Sequence, residues 1–352
     1  MTDLTHIATW REIMAQPKIW TGWGAALPVA ELRQWINDLG VDEVWFCGAG
    51  TSAFIGEIIV AGLEGAAGPR LRAVPTTDLV SRPQAYLTGR KPLVVSFGRS
   101  GNSTESIGTL DALDVLAPKA PRLHITCNPQ GQLATRAAPG PLKVVLLPEA
   151  THDAGFAMTS SFSTMLLTGL ALFDQPCDVA ARLVELADQL ATAFPEYAAA
   201  AKASKIPDRV VFLGAGPLAF AARESALKVM ELTAGKVPAL WDSTLGFRHG
   251  PKSFVRGSTE IVVFLSPEPQ AARYDLDLVA ELKQQFPAAT ITPLIIAMPF
   301  GATWGAPLAV AYAQVLAVVW SHRLGLNVDD PFSGQGTLSR VVSGVKLYPV
   351  SP

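Results

Sequence analysis

The chain has 352 residues, 49% of them hydrophobic and 16% charged, with a net charge of −2. That balance excludes a disordered or strongly basic chain, and gives no reason to expect nucleic acid or an anionic membrane as a partner. It suits two domains of helices packed on parallel sheets.

Cys47, Cys127 and Cys177 are widely separated, lack metal-ligand spacing and read as reduced thiols. The histidines are equally scattered, so no metal is called for, and no cofactor is expected. No signal region opens the chain, and no run of about 18 apolar residues free of breakers predicts a membrane span. A cytoplasmic protein is expected.

Residues 1–28 read as a helical lead. Ile7, Trp10, Ile13 and Met14 have helical spacing, and Pro17 is expected to end the segment. Trp20 and Trp23 read as packing residues or as a surface that meets a partner subunit. A helix over 32–39 follows. Glu43-Val44-Trp45-Phe46-Cys47 then reads as a strand that enters the turn Gly48-Ala49-Gly50-Thr51-Ser52, with a helix over 54–63. Gly48, Gly50 and Ala53 meet the G-x-G-x-x-G/A form of a dinucleotide loop. However, Asp78, the nearest candidate for the ribose ligand, lies too far along and in a polar turn. Thr51 and Ser52 read instead as hydroxyl donors to an anion.

The stretch 93–106 is the centre of the chain. Leu93-Val94-Val95-Ser96-Phe97 reads as a buried strand. It breaks into Gly98-Arg99-Ser100-Gly101-Asn102-Ser103-Thr104, and Asn102 or Ser103 is placed to cap a helix over 103–116. A strand, a Gly/Ser turn and a helix N-terminus together offer exposed N–H groups, hydroxyls and a positive dipole end, which is a cradle for phosphate. The plain alternative is an ordinary strand-to-helix turn. Strands at Arg122–Thr126, with His124 as a core histidine, and at 143–147 follow, then a helix over 158–173 and another over 179–194.

The pattern then restarts. Val211-Phe212-Leu213-Gly214-Ala215-Gly216 aligns without gaps on Trp45-Phe46-Cys47-Gly48-Ala49-Gly50. The run 260–265 echoes 91–97, and 294–297 echoes the third strand of the first copy. The fold expected is therefore α/β: two tandem, doubly wound, parallel-sheet domains of flavodoxin-like type related by internal duplication.

In the second copy the loop after the second strand is Ser266-Pro267-Glu268-Pro269. It has lost the glycines and gained a carboxylate, so an anion site is expected only in the first copy. The helix after Gly216 instead carries Glu224, Lys228 and Glu231 on one face. An exposed salt-bridged face would explain that spacing. Yet the flanking residues are strongly apolar, and buried charges need partners or a task. A loop with His249 between Arg248 and Gly250-Pro251-Lys252 follows, and the irregular tail carries Arg340.

These features resemble the sugar isomerase (SIS) domain family in two copies, over about residues 30–348. Gly50-Thr51-Ser52 and Ser100-Gly101-Asn102-Ser103 resemble its phosphosugar loops. Glu224-Ser-Ala-Leu-Lys228-Val-Met-Glu231 and Arg248-His249-Gly250-Pro251 resemble the isomerase half of glucosamine-6-phosphate synthase. The string from Trp241 to Phe254 resembles more closely the AgaS group of galactosamine-6-phosphate deaminases and tagatose-6-phosphate ketose/aldose isomerases.

The resemblance implies a phosphosugar aldose–ketose isomerase or deaminase working through an enediol(ate), with no cofactor. Glu231 would be the base, Lys228 would stabilise charge or shuttle a proton, and His249 would open the ring. Thr51, Ser52, Arg99, Ser100, Asn102, Ser103, Glu224 and Arg340 would bind the substrate. It also implies a homodimer in which the His249 loop reaches the neighbouring subunit's site. A non-catalytic phosphosugar sensor is the alternative. Two departures from the synthase stand out. No room is left for a glutaminase domain, and Arg340 stands where the synthase has a lysine that forms a Schiff base, a task arginine cannot perform at neutral pH. The expected divisions are a lead over 1–28, SIS domains over 29–175 and 176–328, and a tail over 329–352 that folds over the site.

Overall fold

The computed structural model describes residues 3–336 and 338–351. Its strands are β1 (Glu43–Cys47), β2 (Arg70–Ala73), β3 (Leu93–Gly98), β4 (Arg122–Thr126) and β5 (Leu142–Leu146). After them come β6 (Arg209–Gly214), β7 (Ala239–Ser243), β8 (Thr259–Phe264) and β9 (Thr290–Leu294). Two sheets form, in the orders β2-β1-β3-β4-β5 and β7-β6-β8-β9. Every adjacent pair is parallel. These are two doubly wound α/β sheets, and β6 to β9 repeat β1 to β4 in order and connection. The apolar runs follow from this arrangement. Strands covered by helices on both faces are buried along their length, as β4 and β8 are.

The chain forms two compact units. One holds the five-stranded sheet and comprises Ile19–Asp153, Ser160–Arg182 and Leu338–Pro352. Its core gathers Trp45, Cys47, Val94, Leu113 and Leu79 on one side of the sheet. Trp20 and Trp23 are buried here, and their indole N–H groups donate to Ser163 Oγ at 3.1 Å and Thr168 Oγ1 at 2.8 Å. They are packing residues of this unit. His124 is a core histidine, 1% exposed, with Nδ1 2.7 Å from Leu133 O.

The other unit holds the four-stranded sheet and comprises Met1–Lys18, Ala154–Thr159 and Leu183–Thr337. Val211, Phe247, Ile261, Leu278 and Leu282 form one of its cores. The helix Gly301–Arg323 is long and apolar enough to cross a membrane. However, 94% of its apolar window is buried inside the protein, packed along the helix Pro217–Leu232, so it reads as a core helix.

Some expectations are corrected. Pro17 does not end the first helix, which runs Ala8–Ala26. Proline cannot donate to the carbonyl four residues back. Here Gln16 Nε2 donates to Ile13 O at 3.2 Å, supplying the bond Pro17 cannot make. Pro195 likewise lies inside the helix Val179–Ala203, which therefore extends beyond residue 194. The last strand is Thr290–Leu294, not 294–297, and Ile295 is 82% exposed beyond it. The alternating β-branched residues of Thr290-Ile291-Thr292 form the strand, and Pro293 is tolerated because β9 is an edge.

Candidate functional site

In the five-stranded unit the chain leaves β1 to one side for β2 and to the other for β3, so the topology switches between β1 and β3. Loops at the carboxyl ends of such a pair line a ligand crevice in open α/β sheets. Both hydroxyl-rich loops are there. After β1, Gly50 takes φ +55°, and Thr51 and Ser52 open the helix Thr51–Gly62, nearly buried. A Cβ on Gly48 would stand 2.5 Å from the Ser52 backbone, so only glycine admits this approach.

After β3, Gly101 turns at φ +65° and Ser103 caps the helix Thr104–Leu116, accepting from Ser106 N at 3.3 Å. The cap is therefore Ser103, not Asn102. Asn102 Oδ1 instead accepts from Gln132 N at 2.9 Å, while Asn128 Nδ2 donates to Ser100 O at 2.9 Å. The loop is thus braced from the end of β4. Arg99 is 6% exposed and its Nη2 donates to Arg340 O at 3.0 Å, while Thr104 N donates to Val342 O at 3.4 Å. Carbonyl oxygens of the tail therefore take two donors of this loop. The Arg340 guanidinium donates to Asp153 O.

Asp153 is a residue that sequence reasoning passed over. Buried at 1% exposure, it accepts from Ser160 N at 3.1 Å, Ser160 Oγ at 2.5 Å, Ser161 N at 3.0 Å and Ser161 Oγ at 2.6 Å. It caps the helix Ser160–Phe173 across a gap of several residues, which no local capping pattern announces. Neighbouring His152 is lowered from its ordinary value, first by burial and then by the Arg340 and Arg99 charges.

In the four-stranded unit, Gly216 repeats the Gly50 conformation, with φ +55° and ψ −127° against +55° and −130°. The carboxylate gained after β8 is engaged elsewhere: Glu268 Oε1 accepts from Ala302 N at 3.0 Å. The helix Pro217–Leu232 carries the charged trio. Lys228 Nζ lies 3.3 Å from Glu224 Oε1 and 2.5 Å from Glu231 Oε2. The Lys228 and Glu224 side chains are fully buried, whereas that of Glu231 is 23% exposed. Burial opposes the charge on Lys228. The carboxylates of Glu224 and then Glu231 outweigh it and hold the ammonium above its ordinary value. An exposed salt-bridged face is thereby excluded. The trio is a buried ion triplet with one accessible end, Glu231.

His249 is exposed, at the end of the 3-10 turn Gly246–His249 that follows β7. It is not brought to the trio within this unit. β6 runs to Gly214, the helix runs back, and β7 runs forward again to Ser243. Glu231 sits in the last turn of that helix, on the order of 20 Å along its axis from the start, at the opposite end from the His249 turn. Among the described residues no group of three or more His, Cys, Asp or Glu could hold a metal ion.

The SIS domain model matches residues 41–174. The chain is 40% identical to D-galactosamine-6-phosphate deaminase AgaS of Escherichia coli, over 97% of this chain and 96% of that relative. The chain belongs to the AgaS group of SIS-domain proteins. The crystal structure of tagatose-6-phosphate ketose/aldose isomerase from E. coli superposes with a TM-score of 0.88 at 36% identity, covering 99% of this chain and 98% of that one. Glucosamine-6-phosphate deaminase from Thermotoga maritima, at 23% identity, shares the fold with a TM-score of 0.74 over 96% and 100% of the two chains.

Proposed function

We propose that this AgaS-group protein is a phosphosugar isomerase and deaminase that converts galactosamine 6-phosphate and water to tagatose 6-phosphate and ammonia. The carrying observation is the triplet Glu224–Lys228–Glu231, a buried ammonium between two carboxylates of which one is accessible. Its accessible member is suited to proton transfer between C2 and C1. Glu231 takes the C2 proton, an enediol-type amine forms, and the proton returns at C1. The imine left at C2 is then hydrolysed by water, releasing ammonia. Lys228 orients Glu231 through their 2.5 Å contact and offsets negative charge as it develops. Glu224 holds Lys228 from its other side.

The hydroxyls of Thr51, Ser52, Ser100 and Ser103, with the Arg99 guanidinium and the Asn102 amide, are assigned to the phosphate, which anchors the sugar without reacting. The tail is assigned to fold over this loop, a reading supported by the bonds of Arg99 and Thr104 to its carbonyls, and Arg340 would reach the substrate on leaving Asp153 O. The domain divisions expected from the sequence, a lead over 1–28, domains over 29–175 and 176–328 and a tail from 329, belong to the same reading.

His249 opens the sugar ring, and it does so in a partner subunit of a homodimer. The separation of His249 from Glu231 within one unit supports that assignment. The reading is of a cytoplasmic enzyme, in keeping with the burial of the long apolar helix Gly301–Arg323.

The experiment is a coupled assay of ammonia and ketose with galactosamine and glucosamine 6-phosphates. Ammonia and tagatose 6-phosphate in equal amounts support the reading. Binding of phosphosugar without turnover would instead make the chain a sensor. Mixed dimers of Glu231→Gln and His249→Asn subunits test the sharing of the loop. Half the dimers are mixed and each holds one intact site of two, so about a quarter of full activity returns. No return means that His249 serves its own subunit.

A further inference from the structure

The His249 loop is held by a carboxylate that the reaction does not use. Two 3-10 turns, Gly246–His249 and Pro251–Phe254, straddle Gly250 at φ +125°. Arg248 lies in the first turn and Lys252 in the second. Both reach the same side chain on the helix Pro269–Gln285: Arg248 Nε is 3.0 Å from Glu281 Oε2, and Lys252 Nζ pairs with Glu281 Oε1. Gln285 adds a second acceptor to Lys252 at 3.0 Å, and its own Nε2 donates to Glu281 Oε1 at 3.3 Å.

The same helix grips the base of the loop. Buried Asp275 accepts from Thr244 Oγ1 at 2.6 Å and from Ser266 N at 2.8 Å. Phe247, fully buried, packs with Leu278, Val279 and Leu282. The hydrogen bond from Lys252 lowers the Glu281 carboxyl, burial opposes it, and the Lys252 and Arg248 charges and the Gln285 hydrogen bond lower it further. His249 itself makes no part of this lattice and stays exposed between the two gripped turns.

We propose that Glu281 is a positioning residue for His249: one carboxylate ties Arg248 and Lys252 together, so that the turn between them presents the imidazole in a fixed place. The physical reason lies in the glycine. Gly250 leaves the loop with a hinge beside its functional side chain, and a hinge flanked by two cations needs a countercharge to lock it. Exposed ion pairs taken singly contribute little. A carboxylate that closes two pairs at once removes the freedom of both turns together. The catalytic part of the claim rests on the ring-opening role given to His249 above, whereas the hold on the loop does not.

The test uses the full chain, in four forms: wild type, Glu281→Gln, His249→Asn and the double variant. Hydrogen exchange of residues 245–254 needs no substrate. In Glu281→Gln those amides should exchange about tenfold faster, with β6 and β8 unchanged. With galactosamine 6-phosphate, kcat of Glu281→Gln should fall about tenfold while KM stays within about twofold. In the His249→Asn background the same substitution should cost nothing further, because its effect runs through His249. Restoring the carboxylate as Glu281→Asp should recover part of both. Unchanged loop exchange, or a kcat loss that adds in full to that of His249→Asn, overturns the proposal. If wild type turns over no phosphosugar, the proposed function fails instead, and the exchange measurement still decides whether Glu281 holds the loop.

Discussion

The two sheets start from the same backbone and diverge in opposite directions. Gly50 and Gly216 share one conformation, each capping the helix after its first strand. Counting from those glycines, the places of Glu224 and Lys228 in one helix correspond to Ile58 and Gly62 in the other, and Ile58 is fully buried. Conversely, the loop after β3 keeps Gly98, Gly101 and three hydroxyls. The loop after β8 has Ser266-Pro267-Glu268-Pro269, with its carboxylate bound to Ala302 N. One copy has a loop rich in hydroxyls and glycine and an apolar residue where the other helix has Glu224; the other copy has a proline-rich loop and a charged helix. Duplication lets each copy give up what the other retains. Position within a shared fold therefore does not fix chemistry, and the side chains at the loop and on the helix do.

The largest expected break of this contrast is at Lys228. Lys228→Met leaves Glu224 buried without its countercharge, and removing one partner of a buried pair typically costs about 3–5 kcal/mol. Gly62→Ala at the matching place of the first copy should cost no more than about 1 kcal/mol. Chemical denaturation of both variants checks the pair; a loss at Lys228 no larger than about 1 kcal/mol would mean that the buried ammonium is not needed to balance Glu224.

The copies should also answer pH with opposite signs. Burial pushes His124 down to about 4, helped by the Arg122 charge and opposed by the hydrogen bond its ring donates to Leu133 O. Its folded value is depressed, so its contribution to stability is present above about 6.5 and is lost as pH falls towards about 4. Burial pushes Glu260, on β8, up to about 7, with Thr292 pulling the other way. Its folded value is raised, so its contribution is present below about 4.5 and is lost as pH rises through about 7. Between those limits the two effects oppose each other. The Tm advantage of Glu260→Gln over wild type should therefore grow from pH 5 to 8. The deficit of His124→Gln should shrink as pH falls from 6.5 to 4. Parallel pH profiles for wild type and either variant would contradict the assignment for that residue.

The smallest effect is expected at the hydroxyl-rich loop after β3, proposed to hold the phosphate. Ser100→Ala and Ser103→Ala should each raise KM several-fold, about 1 kcal/mol of binding, with kcat changed less, because the phosphate does not react. Ser103→Ala should also lower stability by about 1 kcal/mol through loss of the helix cap. Ser266→Ala, at the matching loop of the second copy, should leave KM unchanged. A similar KM rise there would mean that the second loop binds anion too.

Much of this contrast is legible in the sequence because it is local. The repeated Gly-Ala-Gly, the hydroxyls after β3 and the helical spacing of the trio are each visible within a dozen residues. What escapes is tertiary. Asp153 caps a helix from outside its local frame, and Glu281 reaches back to Arg248 and Lys252 from another helix. Gln16 supplies the bond that lets a helix run through Pro17. The final strand is displaced in the sequence pattern because the apolar run Ile295-Ile296, of which Ile295 is exposed, gives a stronger signal than the β-branched edge strand before it.

The central claim is that the accessible end of a buried ion triplet moves the sugar's C2 proton, and Glu231→Gln tests it most directly. Glutamine keeps the shape and hydrogen-bond reach of the side chain but has no basic oxygen. Measured on one preparation with galactosamine 6-phosphate, kcat should fall by about 10²–10⁴ while phosphosugar binding is retained and Tm falls modestly. If more than about a tenth of wild-type kcat survives, below the smallest loss expected of a general base, Glu231 does not move the proton and the mechanism is wrong.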